Sequence, residues 1–219
     1  MKRRNFLKGI TLLELLVYMV LFGIVASGVV GILISTLNYF KITSANSQLQ
    51  QEAILVFKKL SQEIPEVAQS SFEKTTQNIS VRSGQYPVTR QADYVMFASP
   101  QPMDGDSYSF DTEGNVNMKK WVCYYLDHDG DRYNLVRKEV SIPVADQSPT
   151  PNKIYATVND FMSDDTVTNT KILAHGVEEL TFDTTQGPDR INFRFTVDDT
   201  TDYTKPNKFS IETELFVRN

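Results

Sequence analysis

The chain has 219 residues, a single cysteine (Cys123) and a formal net charge of −5. One cysteine excludes an internal disulfide, and the acidic balance speaks against a nucleic-acid partner, which needs a basic surface. The two histidines, His128 and His175, lie far apart, and no paired-histidine motif, Gly-x-Ser-x-Gly or glycine-rich phosphate loop occurs. The sequence therefore offers neither an enzyme active site nor a cofactor motif.

Residues 1–9 form a basic leader carrying Lys2, Arg3, Arg4 and Lys8. Without it the chain has four fewer basic residues against the same 27 acidic ones, a net charge near −9. An apolar run follows from Ile10 to Ile34, and Glu14 is its only charged residue. As a helix the run spans about 37 Å, enough to cross a hydrocarbon core of about 30 Å. The basic leader puts residues 1–9 in the cytoplasm and the bulk of the chain outside. A carboxylate in such a helix costs roughly 2.5–3.5 kcal/mol on insertion scales, so Glu14 calls for a reason. The rival reading is an ordinary secretory signal cut after Val25-Ala26-Ser27. Against it, Glu14 interrupts the apolar core and the run continues beyond that cut, through Val29, Val30 and Ile32–Ile34. Gly23, Ser27 and Gly31 recur at four-residue steps, a spacing that lets membrane helices approach closely. Both glycines could also soften the helix.

From residue 35 to 64 the pattern turns amphipathic, with Leu37, Phe40, Ala45, Leu49, Ala53, Leu60 and Ile64 at helical spacing. No proline appears before Pro65, so one continuous helix is expected from about Thr11 to Ile64. Its outer apolar stripe needs a cover. Residues 65–219 read as a β-rich exported domain. Ile191–Val197 and Phe209–Val217 alternate apolar and polar residues, and Trp121–Leu126 and Asn134–Val140 are joined by an Asp-Gly turn. Asp93–Ala98 and Ile172–Asp183 add further strands. Residues 99–118 and 141–170 read as long loops, the second with a short helix near Ile154–Met162. A helix followed by strands predicts an α+β fold, the helix packed on an antiparallel sheet.

The turn Asp127, Asp129, Asp131 has the odd-position carboxylates of a calcium loop. Gly130 falls at the fourth position instead of the sixth, however, and Lys138 stands where the bidentate glutamate belongs. A solvated hairpin turn is the simpler reading, and the same holds for Asp198, Asp199 and Asp202 as a loop. Cys123 lies in an apolar-aromatic run and reads as a core thiol.

Lys8-Gly9-Ile10-Thr11-Leu12-Leu13-Glu14, followed by the apolar run, resembles the N-terminal signal of type IV prepilins and type II secretion pseudopilins. The resemblance implies a pilin-like fold, cleavage after Gly9 by a prepilin peptidase, and methylation of the Ile10 amine by the same enzyme. Most members of the family begin with phenylalanine at that position. It also implies that Glu14 pairs with the α-amino group of a neighbouring subunit during filament assembly. The implied partners are other minor and major pilins or pseudopilins, the inner-membrane assembly platform and membrane lipid, and no cofactor. Val122–Leu126, Leu135-Val136-Arg137, Ala174-His175-Gly176-Val177 and the closing Phe216-Val217-Arg218-Asn219 resemble J-type minor pseudopilins and W-type minor pilins. On this resemblance the chain is a single-pass inner-membrane subunit that primes or tips a secretion pseudopilus or a type IV pilus. The alternative is a membrane-anchored exported binding module or a pilus-tip adhesin, working through loops 99–118 and 141–170.

Overall fold

The computed structural model describes residues 11–67, 69–83, 86–101, 107–130, 132–167, 169–185, 190–199 and 207–217. The chain divides into two compact units, with the boundary between Ala45 and Asn46. Among the described residues helix α1, Leu12–Glu63, is the only element of the first unit, and it contributes its last turns to the second. Leucine, isoleucine and valine carry it without a proline until Pro65, which lacks the N–H that another helical turn would need. The chain there tightens into a 3-10 turn, Ile64–Glu66.

In the second unit α1 buries Leu49, Ala53, Val56, Leu60 and Glu63, residues three or four apart on one face. That face meets an antiparallel sheet of five strands in sequence order: β1 (Glu73–Ser83), β2 (Tyr86–Ser99), β3 (Lys120–Asp129), β4 (Arg132–Ser141) and β5 (Thr170–Ala174). Side chains alternate between the two faces of each strand. Tyr124 stands opposite Arg137 and Val122 opposite Glu139, and Tyr124 and Arg137 both reach Glu63 of α1. Lys138, between Arg137 and Glu139, points the other way and donates to the carbonyls of Met162 and Asp164 at 2.9 and 2.6 Å. The short helix α2, Val158–Met162, therefore covers the face opposite α1. A Thr157–Asp160 capping box starts it, and Val158 and Phe161 are buried beneath it.

A second antiparallel sheet holds β6 (Val177–Asp183), β7 (Arg190–Asp199) and β8 (Asn207–Phe216). Its inner face carries Leu180, Phe182, Phe193 and Phe195, all fully buried. Strand β6 lies beside β2, and side chains make the junction. Asp93 accepts the backbone N–H of Phe182 at 2.9 Å, and Lys74 donates to the Phe182 carbonyl at 2.9 Å.

The expected α+β architecture is present, with three differences. The four strands expected in one sheet are shared between two, β3 and β4 in the first and β7 and β8 in the second. The run Ile172–Asp183 is cut by a turn at His175-Gly176 into β5 and β6, which join different sheets. Gly176 has φ +66°, and a Cβ there would sit 2.5 Å from the carbonyl oxygen of Asp198, so the turn requires glycine. Strand β1 and the first half of β2 have no counterpart among the expected strands, because Lys74–Asn78 carries no apolar alternation.

The charges between α1 and the first sheet form one buried cluster. Arg137 donates from Nε and Nη2 to the two oxygens of Glu63 at 3.2 and 2.7 Å, and the Tyr124 hydroxyl donates to Glu63 Oε2 at 2.5 Å. Arg137 also pairs with Glu139, which accepts Lys120 Nζ at 3.0 Å. Two carboxylates thus meet two cations, and Arg137 grips Glu63 with both arms of its fork. Burial would raise the Glu139 carboxyl, but Arg137 and then Lys120 hold it below the usual carboxylate range. Burial and the Glu63 carboxylate push the Tyr124 hydroxyl well up, so it stays protonated as a donor.

Two predictions follow from these contacts. Glu63→Ala leaves Arg137 facing an apolar helix, a loss of about 3–5 kcal/mol for one partner of a buried pair. Gly176→Ala forces a left-handed backbone on a residue with a Cβ, a loss of at least about 1–2 kcal/mol. Denaturant titration of the full chain in detergent, read by Trp121 fluorescence, measures both, since Trp121 is the only tryptophan and is buried. Glu139 adds a pH dependence of the depressed-carboxylate kind. Its contribution is full above the ordinary carboxylate range and is lost as pH falls through its lowered value.

Candidate functional site

The segment singled out by the sequence is the start of α1. Thr11 precedes the first helical residue, and its carbonyl accepts the first intrahelical bond, from Leu15 N–H at 3.1 Å. Its Oγ1 accepts the N–H of Glu14 at 3.3 Å. In return Glu14 Oε2 accepts Thr11 N–H at 2.9 Å and Thr11 Oγ1–H at 3.0 Å. This is a reciprocal capping box, and it satisfies two of the N–H groups that a helix start leaves without intrahelical partners. The cap fixes the Glu14 carboxylate at the positive end of the helix dipole, on an exposed side chain. A cation from another chain can therefore reach it. Gly9 and Ile10, the residues expected at the cleavage, lie outside the described residues.

Beyond the cap, α1 is an apolar rod. Leu12, Phe22, Ile24, Val25 and Ile32 are each more than 60% exposed. The helix is long and apolar enough to cross a membrane. Gly23 and Gly31 have open space where a Cβ would stand, and the Ser27 hydroxyl donates to the Ile24 carbonyl at 2.8 Å. The three small residues sit on unbroken helix with their face uncovered, free to meet another helix.

The remaining sequence candidates do not converge. Asp127 and Asp129 end β3, and Asp129 accepts Asn134 Nδ2 at 3.4 Å; Asp131 lies outside the described residues. Gly130, with φ +63°, makes the hairpin turn. Among the described residues no group of three or more His, Cys, Asp or Glu side chains is placed to hold a metal ion. Asp198 and Asp199 close β7, where a loop was expected, and Asp202 lies outside the described residues. Asp198 is buried, 4.0 Å from Lys208 Nζ. Cys123 is buried in the sheet, and burial pushes its thiol well up, away from reactivity. His128 packs on Tyr133, and His175 Nδ1 lies 3.0 Å from Asn134 Oδ1.

Sequence reasoning named Glu14 and missed its partner Thr11, although Thr-x-x-Glu ahead of an apolar run spells a capping box. It also passed over Glu63. The signal was there, since Glu63 interrupts an otherwise apolar stripe just before Pro65.

A family model described as the prokaryotic N-terminal methylation motif matches residues 6–30. No curated protein and no solved structure matches the chain. The matched segment contains the basic-to-apolar junction, the capped Glu14 and the first turns of the exposed helix. Together with a long helix packed on an antiparallel sheet, the motif supports the chain's place in the type IV prepilin and pseudopilin superfamily.

Proposed function

We propose that the chain is a minor pilin or pseudopilin that joins a filament through its N-terminal helix and supports protein secretion or pilus biogenesis. The observation that carries this reading is the methylation motif over residues 6–30, coupled to an apolar helix whose side chains have no cover within the chain. Lipid covers that helix before assembly, and the helices of neighbouring subunits cover it in the filament. Close approach falls on the Gly23, Ser27 and Gly31 face. A globular domain of this size would crowd a helical shaft, which favours a low-copy place at the tip.

Glu14 has two duties in this reading. In the free subunit it caps its own helix. In the filament its carboxylate also receives the methylated α-ammonium of a neighbouring subunit. A carboxylate and an ammonium are each costly in low dielectric and compensate when paired. The pairing sets the register of one helix against the next.

Processing is tested by N-terminal mass spectrometry of the membrane-extracted protein. The expected mature chain starts at a methylated Ile10; an intact leader, or a start at Gly28, overturns the assignment. The charge of Glu14 is tested by comparing Glu14→Gln with Glu14→Ala in cells, read by crosslinking and filament assembly. Glutamine keeps a capping-box acceptor and removes the charge. Ion pairing predicts that both variants insert normally and that both lose crosslinks to neighbouring subunits. Wild-type crosslinks in Glu14→Gln would reduce Glu14 to a helix cap and favour the anchored binding module.

A further inference from the structure

Helix α1 carries two tyrosines, Tyr18 and Tyr39, and no tryptophan. Both are exposed, as is Phe40 beside the second. No charged residue lies between them, and charges bracket the pair, with Glu14 one turn before Tyr18 and Lys41 just after Phe40. The helix runs unbroken through all these positions, so its rise measures their spacing. From Tyr18 to Tyr39 the axial distance is about 32 Å, or about 30 Å across a bilayer at an ordinary tilt of about 20°. A hydrocarbon core has the same thickness, about 30 Å. Tyrosine favours the two boundaries of that core, where its ring meets acyl chains and its hydroxyl meets headgroups.

The exposed apolar surface continues past Ile34 through Leu37, Tyr39 and Phe40, so it is longer than a bilayer and two placements compete. The run Ile10–Ile34 alone would put Phe22 at the bilayer centre and Glu14 about 12 Å from it, inside a half-core of about 15 Å. The tyrosines put the centre between Gly28 and Val29 and Glu14 about 22 Å away, in the cytoplasmic headgroup layer. The second placement gives up Leu12, Leu13, Leu15 and Leu16 from the core and gains Leu33, Ile34 and Leu37. The carboxylate decides between them, because one in hydrocarbon costs as much as several leucines gain there. The cap agrees, since Glu14 Oε2 turns back to Thr11, toward the cytoplasmic end of the helix. Lys41 then falls in the opposite headgroup layer, where its amine reaches lipid phosphate.

We propose that Tyr18 and Tyr39 anchor α1 between the two headgroup layers of a phospholipid bilayer and hold Glu14 outside the hydrocarbon until the subunit enters a filament. The proposal rests on the membrane-inserted reading of α1 and adds its depth. In the headgroup layer Glu14 is hydrated, so an ammonium there forms only a weak pair with it. Drawing the helix outward carries Glu14 into low dielectric, where the carboxylate is costly alone and its pairing with a neighbour's ammonium becomes tight. The anchors thus separate the stored subunit, in which Glu14 caps its own helix, from the assembling one.

Nitroxide depth measurements on the full-length protein in dioleoyl phosphatidylcholine–phosphatidylglycerol vesicles test this. Single labels go on Leu15→Cys, Phe22→Cys, Val29→Cys, Thr36→Cys and Ile42→Cys, and Cys123 is buried and stays unlabelled. Collision with oxygen relative to a water-soluble nickel chelate gives each depth. The label replacing Val29 should be deepest, those replacing Phe22 and Thr36 shallower by similar amounts, and those replacing Leu15 and Ile42 at the headgroups. A profile deepest at Phe22, with the Thr36 label in contact with the chelate, overturns the proposal and leaves α1 across the membrane. Chelate contact at every label overturns the membrane-inserted reading as well. In a Tyr18→Ala, Tyr39→Ala double variant the deepest label should move from Val29 toward Phe22, and an unchanged profile overturns the tyrosines as anchors.

Discussion

Glu63 puts a charge into the apolar stripe of α1, and Arg137 makes its burial tolerable. A lone carboxylate at that position would cost more than the helix gains by packing there. The bidentate fork from Arg137 and the Tyr124 hydroxyl leave both carboxylate oxygens satisfied. Much of the domain is arranged around this contact. The β3–β4 register sets Tyr124 opposite Arg137, and Phe97 of β2 stacks on Tyr124 at 6.0 Å. A slip of one residue in β4 would turn Arg137 toward α2 and bring Lys138 to the helix face. The ion pair therefore specifies register as well as adding energy, a use better attested for buried charges than net stability.

The two carboxylates near the ends of α1 show how environment assigns roles to one functional group. Glu14 is exposed and occupied by its own helix start, so its bonds are local and easily exchanged. Glu63 is fully buried and occupied by residues far along the chain, so releasing it disrupts the domain. The first suits a contact made and remade between subunits. The second suits a permanent joint between helix and sheet.

The sequence showed most of the candidate site and less of the sheet arrangement, for physical reasons. The N-terminal segment was legible because basic leader, glycine, apolar run and a single carboxylate are local features, independent of tertiary structure. The hairpin of β3 and β4 was legible because apolar runs flank an Asp-Gly turn. Strand β1 was not, because Lys74–Asn78 is half-exposed and polar, and its place depends on pairing with β2. The split into two sheets turns on Gly176. One glycine in a run of strand-formers signals a break only when Asp198 is known to lie against it.

That break has a structural cost, and Asp93 and Lys74 offset it. Strand β6 lies beside β2 without forming a ladder with it, so the backbone groups of Phe182 would otherwise be buried unpaired at the junction. Asp93 takes the Phe182 N–H and Lys74 takes its carbonyl, while Thr76 Oγ1 donates to Asp93 at 2.6 Å. Both clamps stand on the β1–β2 hairpin, whose first strand is polar from Lys74 to Asn78. The lack of apolar alternation in β1 and the closure of the sheet junction thus have one origin. The residues that hid the strand are the residues that hold the second sheet against the first.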